Sequence, residues 1–456
     1  MNNAVITILS FIVTLGVLVI IHELGHYFVA RMVGVKILRF SVGFGRALWV
    51  RRFGRDGTEW AIASVPLGGF VKMLDEREGD VPADERHRAF NRQGVAARIL
   101  IVLAGPVSNF LLAILLYWAL FVTGVPGLKP VLGDPPRDSA AALAGLRSGE
   151  TIRAVGDEST PTWSDVRWQL LKEAVRRGTV SVELESSGGG NATRNLDLSG
   201  LTKDDLDRDF LAKLGIRPIR PAVPAELGRV LPGSAAERSG LALGDRVLRV
   251  GDKDIKTWSD FTQEVAANPG RTLAIVVDRH GRQVELQATP DSAGEGDARI
   301  GRLGVEAGPQ LRQEYERMTT TVRYGVLESI PRAVHKVYDL SVFSLKMLGR
   351  MVIGDVSWKN LSGPITIADY AGQSAQLGWI AWLGFLALVS VSLGVLNLLP
   401  IPLLDGGHLV YYFAEIVKGS PVSEKTMEIG QRLGLAVLLG LTFFAFYNDI
   451  NRLFTG

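Results

Sequence analysis

At 456 residues the chain exceeds one ordinary domain and divides into roughly three units at about 150 residues each. Its mean hydropathy of +0.19 beside 21% charged residues is too polar for membrane helices alone and too apolar for an ordinary soluble enzyme. A net charge of +3 without a dense basic tract argues against a nucleic-acid partner, and the lack of cysteine excludes disulfides, thiol catalysis and cysteine-ligated metal.

The run Ala4–Ile21 carries no charge and, extended through Tyr27-Phe28-Val29-Ala30, can cross the ~30 Å hydrocarbon core as a helix, giving a first unit over residues 1–30. It begins Met1-Asn2-Asn3-Ala4 and meets its first cation at Arg31, unlike a cleaved signal peptide. The helix ends in His22-Glu23-Leu24-Gly25-His26. Two imidazoles four residues apart share one helical face and can grip one metal ion, and the spacing suits zinc. Glu23 would take a proton from the activated water and pass it to the leaving amine. The alternative is a histidine pair bonded to neighbouring helices, but ionisable groups in a membrane span are costly and point to function.

Residues 31–98 hold thirteen Lys/Arg against eight Asp/Glu between Arg31 and Arg98, so the positive-inside rule predicts a cytoplasmic loop. A protease that unwinds a membrane helix must offer its backbone new partners, and a strand edge does so. Phe40–Gly45, with Gly43-Phe44-Gly45, is one candidate; Ala47–Phe53 and Thr58–Val65 are strand-like runs meeting at Arg55-Asp56-Gly57. A second crossing follows over Ile99–Thr123 (unit 99–124), with Asn109 as a polar residue inside it.

Alternation then places the next block outside. Gly145-Leu146, Gly149, Val155-Gly156-Asp157 and Thr162-Trp163-Ser164-Asp165 recur 95 residues later as Gly240-Leu241, Gly244, Val250-Gly251-Asp252 and Thr257-Trp258-Ser259-Asp260. A gap-free period of that length predicts two copies of a small domain, 125–218 and 219–310, each with short strands such as Arg246–Val250 and a helix capped by Ser259 or Asp260 in the second copy. The pattern from Ser234 to Asp245, and a weaker one from Ser139 to Glu150, resembles bacterial PDZ domains. The resemblance implies binding of extended peptides, often free C-termini; the alternative is a spacer that blocks access. Within residues 311–376, Tyr324–Met351 reads as an amphipathic interfacial helix and Leu361-Ser362-Gly363-Pro364 as a helix stop.

The third apolar run, Trp379–Leu404 (unit 377–408), ends in Leu404-Asp405-Gly406-Gly407-His408. A cytoplasmic loop (409–431) and a fourth crossing over Leu433–Tyr447 (unit 432–450) complete the chain. The first and third crossings run the same way, which brings Asp405 to the depth of His22 and His26 as the third protein ligand of a tetrahedral site. His408 competes for that role and is expected beside the shell; His87, His280 and His335 lie in polar segments and are expected on the surface.

His22-Glu23-Leu24-Gly25-His26 and Asn397-Leu398-Leu399-Pro400-Ile401-Pro402-Leu403-Leu404-Asp405-Gly406 together resemble the two signatures of the site-2 protease family, and the resemblance covers nearly the whole chain. It implies His22, His26 and Asp405 as ligands of one zinc ion and Glu23 as the catalytic carboxylate. It implies an amide at Asn397 that serves substrate or oxyanion, unless it only packs helices, and a membrane-dipping β-element near Pro66–Met73, where the alternative is an ordinary hairpin. Asn109 matches a recurrent family motif and is expected as helix glue. The implied fold is an α-helical membrane protein with four transmembrane helices, a cytoplasmic-side membrane-associated β loop and two periplasmic PDZ domains, mixed α+β. The implied activity is regulated intramembrane proteolysis in a bacterial inner membrane, on a single-span protein such as an anti-sigma factor, and clearance of signal-peptide remnants. Two rivals remain: a catalytically silent PDZ scaffold, which would not need the four site residues together, and a membrane protease for soluble or prenylated tails, which would not need the PDZ pair.

Overall fold

The computed structural model describes residues 3–455 except 177, 187, 203–204, 206–208, 294–298, 355 and 359–360. The chain forms two compact units, one from the N-terminus to Val125 with Arg323–Thr455, the other Pro126–Val322.

The first unit contains helices α1 (Asn3–Met32), α2 (Val95–Thr123), α3 (Ser329–Val352), α4 (Pro364–Leu377), α5 (Trp379–Asn397), α6 (Asp405–Lys418) and α7 (Glu424–Thr455). Among the described residues four helices are long and apolar enough to cross a membrane, spanning Ala4–Met32, Val95–Thr123, Trp379–Asn397 and Glu424–Arg452. Small residues let them approach: a Cβ on Gly25 of α1 would fall on Ala104 O and Ser108 Oγ of α2, and one on Gly394 of α5 would lie 3.0 Å from the Phe110 ring.

Two expectations are corrected here, and one break is placed. The third apolar run is interrupted at its prolines: α5 stops at Asn397, because Pro400 and Pro402 lack N–H donors and disfavour helix in the residues before them. A tight segment follows, with Leu403 in the left-handed region at φ 98°, and Asp405 opens α6 as its first residue, so much of 409–431 is helix and not loop. Gly363-Pro364 starts a helix instead of ending one, since proline at the first helical position has no donor to waste. The Asp449 carboxylate of α7 caps that start, accepting from Gly363 N at 2.9 Å, Ile365 N at 2.8 Å and Thr366 Oγ1 at 2.6 Å. The last apolar run lies inside the 32-residue α7, no proline interrupting it from Glu424 to Thr455.

The interfacial segment forms α3, burying Ala333, Val337 and Leu340 on one face and exposing Ile330, Val334 and Tyr338 on the other. In the 31–98 loop, β1 (Ile37–Phe53) and β2 (Thr58–Met73) are longer than the two expected runs and each is used twice. Residues 47–53 pair with 58–63, while residues 39–42 pair with 59–62 on one side and with 69–72 on the other. The hairpin therefore doubles over, and the 69–73 segment forms a free edge among the described residues.

The second unit contains two four-stranded sheets of identical order. In the first, strands run 158–159, 151–155, 179–185, 191–197; in the second 253–254, 246–250, 273–279, 282–288. Each has its own core, around Val166, Leu170 and Phe210 in one copy and Phe261, Ile275 and Val277 in the other. The second-copy helix is Trp258–Ala266, and its cap is Thr257 instead of Ser259 or Asp260: Asp260 is the third helical residue, returning the bond to Thr257 N in a capping box.

Candidate metal centre

α1 carries His22 and His26 on one face, with their Nε2 atoms 3.3 Å apart and their rings edge to face. The Gly25 contact draws α2 against this face. There α2 has Gly105-Pro106; a Cβ on Gly105 would fall on His26 Nε2 and lie 2.7 Å from His22 Cε1, so glycine makes room for both rings. Pro106 has no N–H for the carbonyl of Val102, and in the same turn Ile101 O accepts from His26 Nδ1 at 2.8 Å. A carbonyl only accepts, so the proton sits on Nδ1 and Nε2 keeps its lone pair for a metal.

Asp405 closes the triangle, Oδ2 at 3.3 Å from His22 Nε2 and Oδ1 at 3.6 Å from His26 Nε2. Its place depends on Gly406 and Gly407, where a Cβ would fall on the carbonyl oxygens of Leu399 and Ile401. Ligands about 2.0–2.1 Å from zinc in a tetrahedron stand roughly 3.3–3.4 Å from one another. The imidazole nitrogens stand at that edge, 3.3 Å apart, and the two carboxylate oxygens lie near it at 3.3 and 3.6 Å, so the residues present fit a zinc ion with one position left over.

The centre opens into a cavity of about 850 Å³. His22, Glu23, His26, Asn397, Asp405 and His408 all line it. The free strand edge, Gly69 to Met73, forms another wall. It lies directly against α1: a Cβ on Gly69 would be 2.9 Å from Val19 Cγ1 and 3.2 Å from Glu23 Cγ, and the Val71 N–H is directed at the Glu23 carboxylate. The outer wall is charged, with Lys72, Arg77 and Arg98 opposite Asp75, Glu415 and Glu428. Arg98 of α2 donates to Glu415 of α6 at 2.6 Å, both nearly buried, and lies over the Tyr412 ring.

The structure thus gathers the expected ligands and Glu23, with Asn397 and His408 beside them and Asn109 behind His22, its Nδ2 3.2 Å from His22 Nδ1. Gly43, Phe44 and Gly45 do not line the cavity; Phe44 only stacks on Phe70, which does. The pleat explains this: Gly43 faces inward to Val65 O, and the edge next to the cavity belongs to the second half of β2. His87, His280 and His335 are exposed, as expected. Sequence reasoning missed Gly105 and the Ile101 carbonyl; the glycine beside Pro106 was a signal for the first, while a backbone acceptor leaves none.

The chain matches peptidase family M50 over residues 10–441. It is 42% identical over 444 residues to the regulator of sigma-E protease RseP of Escherichia coli K12, covering 97% of this chain and 98% of that one. The regulator of sigma-E protease RseP of Salmonella typhimurium is 43% identical over 445 residues, with the same coverage. A Vibrio cholerae protein named as a zinc metalloprotease is 40% identical over 455 residues, 99% of this chain and all of that one.

Proposed function

The chain belongs to peptidase family M50 and is a zinc metalloprotease of the site-2 type, and from that premise we propose that it cleaves single-span membrane proteins within the bilayer, using one zinc ion held by His22, His26 and Asp405. The observation that carries the reading is the tetrahedral edge formed by those three side chains beside Glu23, in a cavity walled by a free strand edge. Zinc bound there would polarise the scissile carbonyl and acidify the attacking water. Glu23, on the same helical turn, takes the proton from that water and returns it to the leaving amine. The substrate, unwound from its helix, adds as a strand to the 69–73 edge, which replaces the hydrogen bonds it gives up. The Asn397 amide, at the cavity wall, donates to the substrate backbone or the oxyanion.

The positive-inside rule sets the 31–98 loop and the metal centre on the cytoplasmic side of an inner membrane and the second unit in the periplasm. Its two copies act as PDZ domains, a reading supported by the duplicated sheet order and the Ser234–Asp245 pattern. Their loops differ. In the first copy, Gly215 N and Ile216 N close the end of helix Phe210–Leu214, bonding Ala212 O at 3.1 Å and Leu211 O at 2.8 Å. In the second, the Leu303 and Gly304 N–H groups beside a left-handed Gly304 (φ 76°) make no hydrogen bond among the described residues, which suits the second copy to a peptide carboxylate. The substrate in this reading is an anti-sigma factor, in keeping with relatives named as regulator of sigma-E proteases.

The test pairs metal analysis of the purified full chain with cleavage of a single-span substrate, in the parent and in Glu23→Gln. Zinc in both proteins with cleavage only in the parent is expected. A parent without zinc, or a Glu23→Gln variant that cleaves at the parental rate, would overturn the reading in favour of a silent PDZ scaffold.

A further inference from the structure

We propose that Asn109 is a positioning residue that orients the His22 ring, its side-chain oxygen accepting from His22 Nδ1–H, while Asn397 is left free to face substrate. This rests on the reading of His22 as a metal ligand. Three observations lead to it. Asn109 is fully buried on α2, and its Oδ1 is a buried oxygen without any hydrogen bond. Its Nδ2 lies 3.2 Å from His22 Nδ1, and Asn397 Nδ2 lies 3.4 Å from the same atom, so two amide nitrogens face one ring nitrogen. His22 Nε2, pointing at Asp405 and His26, is the atom that would bind metal.

A neutral imidazole bound through Nε2 carries its proton on Nδ1, which then needs an acceptor and not an amide nitrogen. Amide oxygen and nitrogen are interchangeable by a half-turn about the last side-chain bond. Turning Asn109 gives Nδ1–H an acceptor and Oδ1 a donor, and it carries Nδ2 to the buried position that Oδ1 leaves. Asn397 has no such debt, since it stands on the cavity wall and its oxygen is not among the buried unpaired atoms. An amide serving only to glue helices would not leave a buried oxygen unpaired, which costs about 1–3 kcal/mol.

The arrangement also has a period. Ile101, Gly105 and Asn109 fall at i, i+4 and i+8 on α2, each step about 6 Å along the axis. His26 and His22 are one such step apart on α1. The Ile101 carbonyl meets His26 at one end, the Asn109 amide meets His22 at the other, and Gly105 leaves the gap between them for both rings. Ser390 Oγ of α5 donates to Asn109 O at 2.7 Å, fixing the backbone behind the amide. α2 therefore supplies the acceptor for each metal-binding histidine.

The experiment measures zinc affinity of the purified full-length protein in micelles by competition with a chromophoric chelator, and the ligand-field spectrum of the cobalt-loaded protein. Asn109→Leu, of similar size without an acceptor, should lose about 10–100-fold in zinc affinity, the range seen when a metal ligand's supporting partner is removed. Asn109→Asp, which keeps an acceptor, should stay within about threefold of the parent and keep its cobalt spectrum, whereas Asn109→Leu should shift it. Asn397→Leu should bind zinc as the parent does while raising KM for the single-span substrate. Should Asn109→Leu not fold, Asn109→Ser, too short to reach the ring, replaces it. Ser390→Ala, which removes only the bond to the Asn109 carbonyl, controls for packing and should keep parental affinity. Equal zinc affinity and spectra in the Leu (or Ser) and Asp variants would overturn the proposal and make Asn109 a packing amide. A parent that binds no zinc would instead defeat the metal reading itself.

Discussion

Gly105→Ala is the smallest perturbation that tests the metal centre, because it adds one methyl group where α2 meets both histidine rings. That methyl would stand 2.3 Å from His26 Nε2 and 2.7 Å from His22 Cε1, against an ordinary contact that begins at 3.4 Å. The rings must therefore retreat by about 1.1 and 0.7 Å, the differences from 3.4 Å. Zinc sites hold their ligand distances to within about 0.2 Å, so the displacement is several times the tolerance. Moving the helices apart instead would give up the close approach at Gly25, which lies against Ala104 O and Ser108 Oγ. Zinc affinity should fall at least about 100-fold, or roughly 2.8 kcal/mol at 1.4 kcal/mol per tenfold. Chelator competition measures the loss, and far-ultraviolet circular dichroism checks that the helices persist. A Gly105→Ala protein that binds zinc within threefold of the parent, with its helices intact, would refute the view that this glycine sets the ring positions.

Val71→Pro removes the edge N–H that is directed at the Glu23 carboxylate, and proline is tolerated on an edge strand. Cleavage of the single-span substrate should drop by about tenfold or more relative to Val71→Ala, with zinc content unchanged; equal cleavage by the two variants would remove this N–H, both as a partner of Glu23 and as an edge donor, from the mechanism. Asp449→Asn replaces an acceptor with a donor facing the Gly363, Ile365 and Thr366 N–H groups. It should cost about 2–3 kcal/mol and lower the thermal midpoint in micelles by several degrees, whereas an unchanged midpoint would show that α7 does not pin the start of α4.

The candidate metal ligands came together as a cluster legible from local spacing: His22 and His26 need only the helical period, and Asp405 needs only the parallel sense of two crossings. The repeat was equally plain, since identical residues recur at a constant offset. What the sequence hid is mostly non-local. Whether Gly363-Pro364 ends or begins a helix depends on Asp449, 86 positions away, whose carboxylate satisfies the new helix start. The strand runs 47–53 and 58–65 were readable from alternation, but the doubling of the hairpin was not, because which half of β2 borders the cavity is decided by packing on α1 at Gly69. Gly43-Phe44-Gly45 stands away from the cavity lining for that reason. The proline break sets Asp405 at the head of a separate helix, and that placement follows from the fold-back against Gly406 and Gly407.

The free edge has a consequence for water. A strand laid on one edge pairs only one of its flanks, and alternate N–H and C=O groups point the other way. For a segment drawn out of lipid those outward groups have lost their helix partners and, in hydrocarbon, would each cost several kcal/mol. The cavity beside the edge is lined by Lys72, Arg77, Glu415 and Glu428 and has a volume of about 850 Å³. At about 30 Å³ per molecule that is room for roughly 28 waters. In the proposed mechanism, hydration of this chamber would do two jobs: stabilise the half of the extended substrate that protein does not reach, and deliver the reactant that hydrolysis consumes. A drier chamber would starve both, so unwinding and cleavage should fail together.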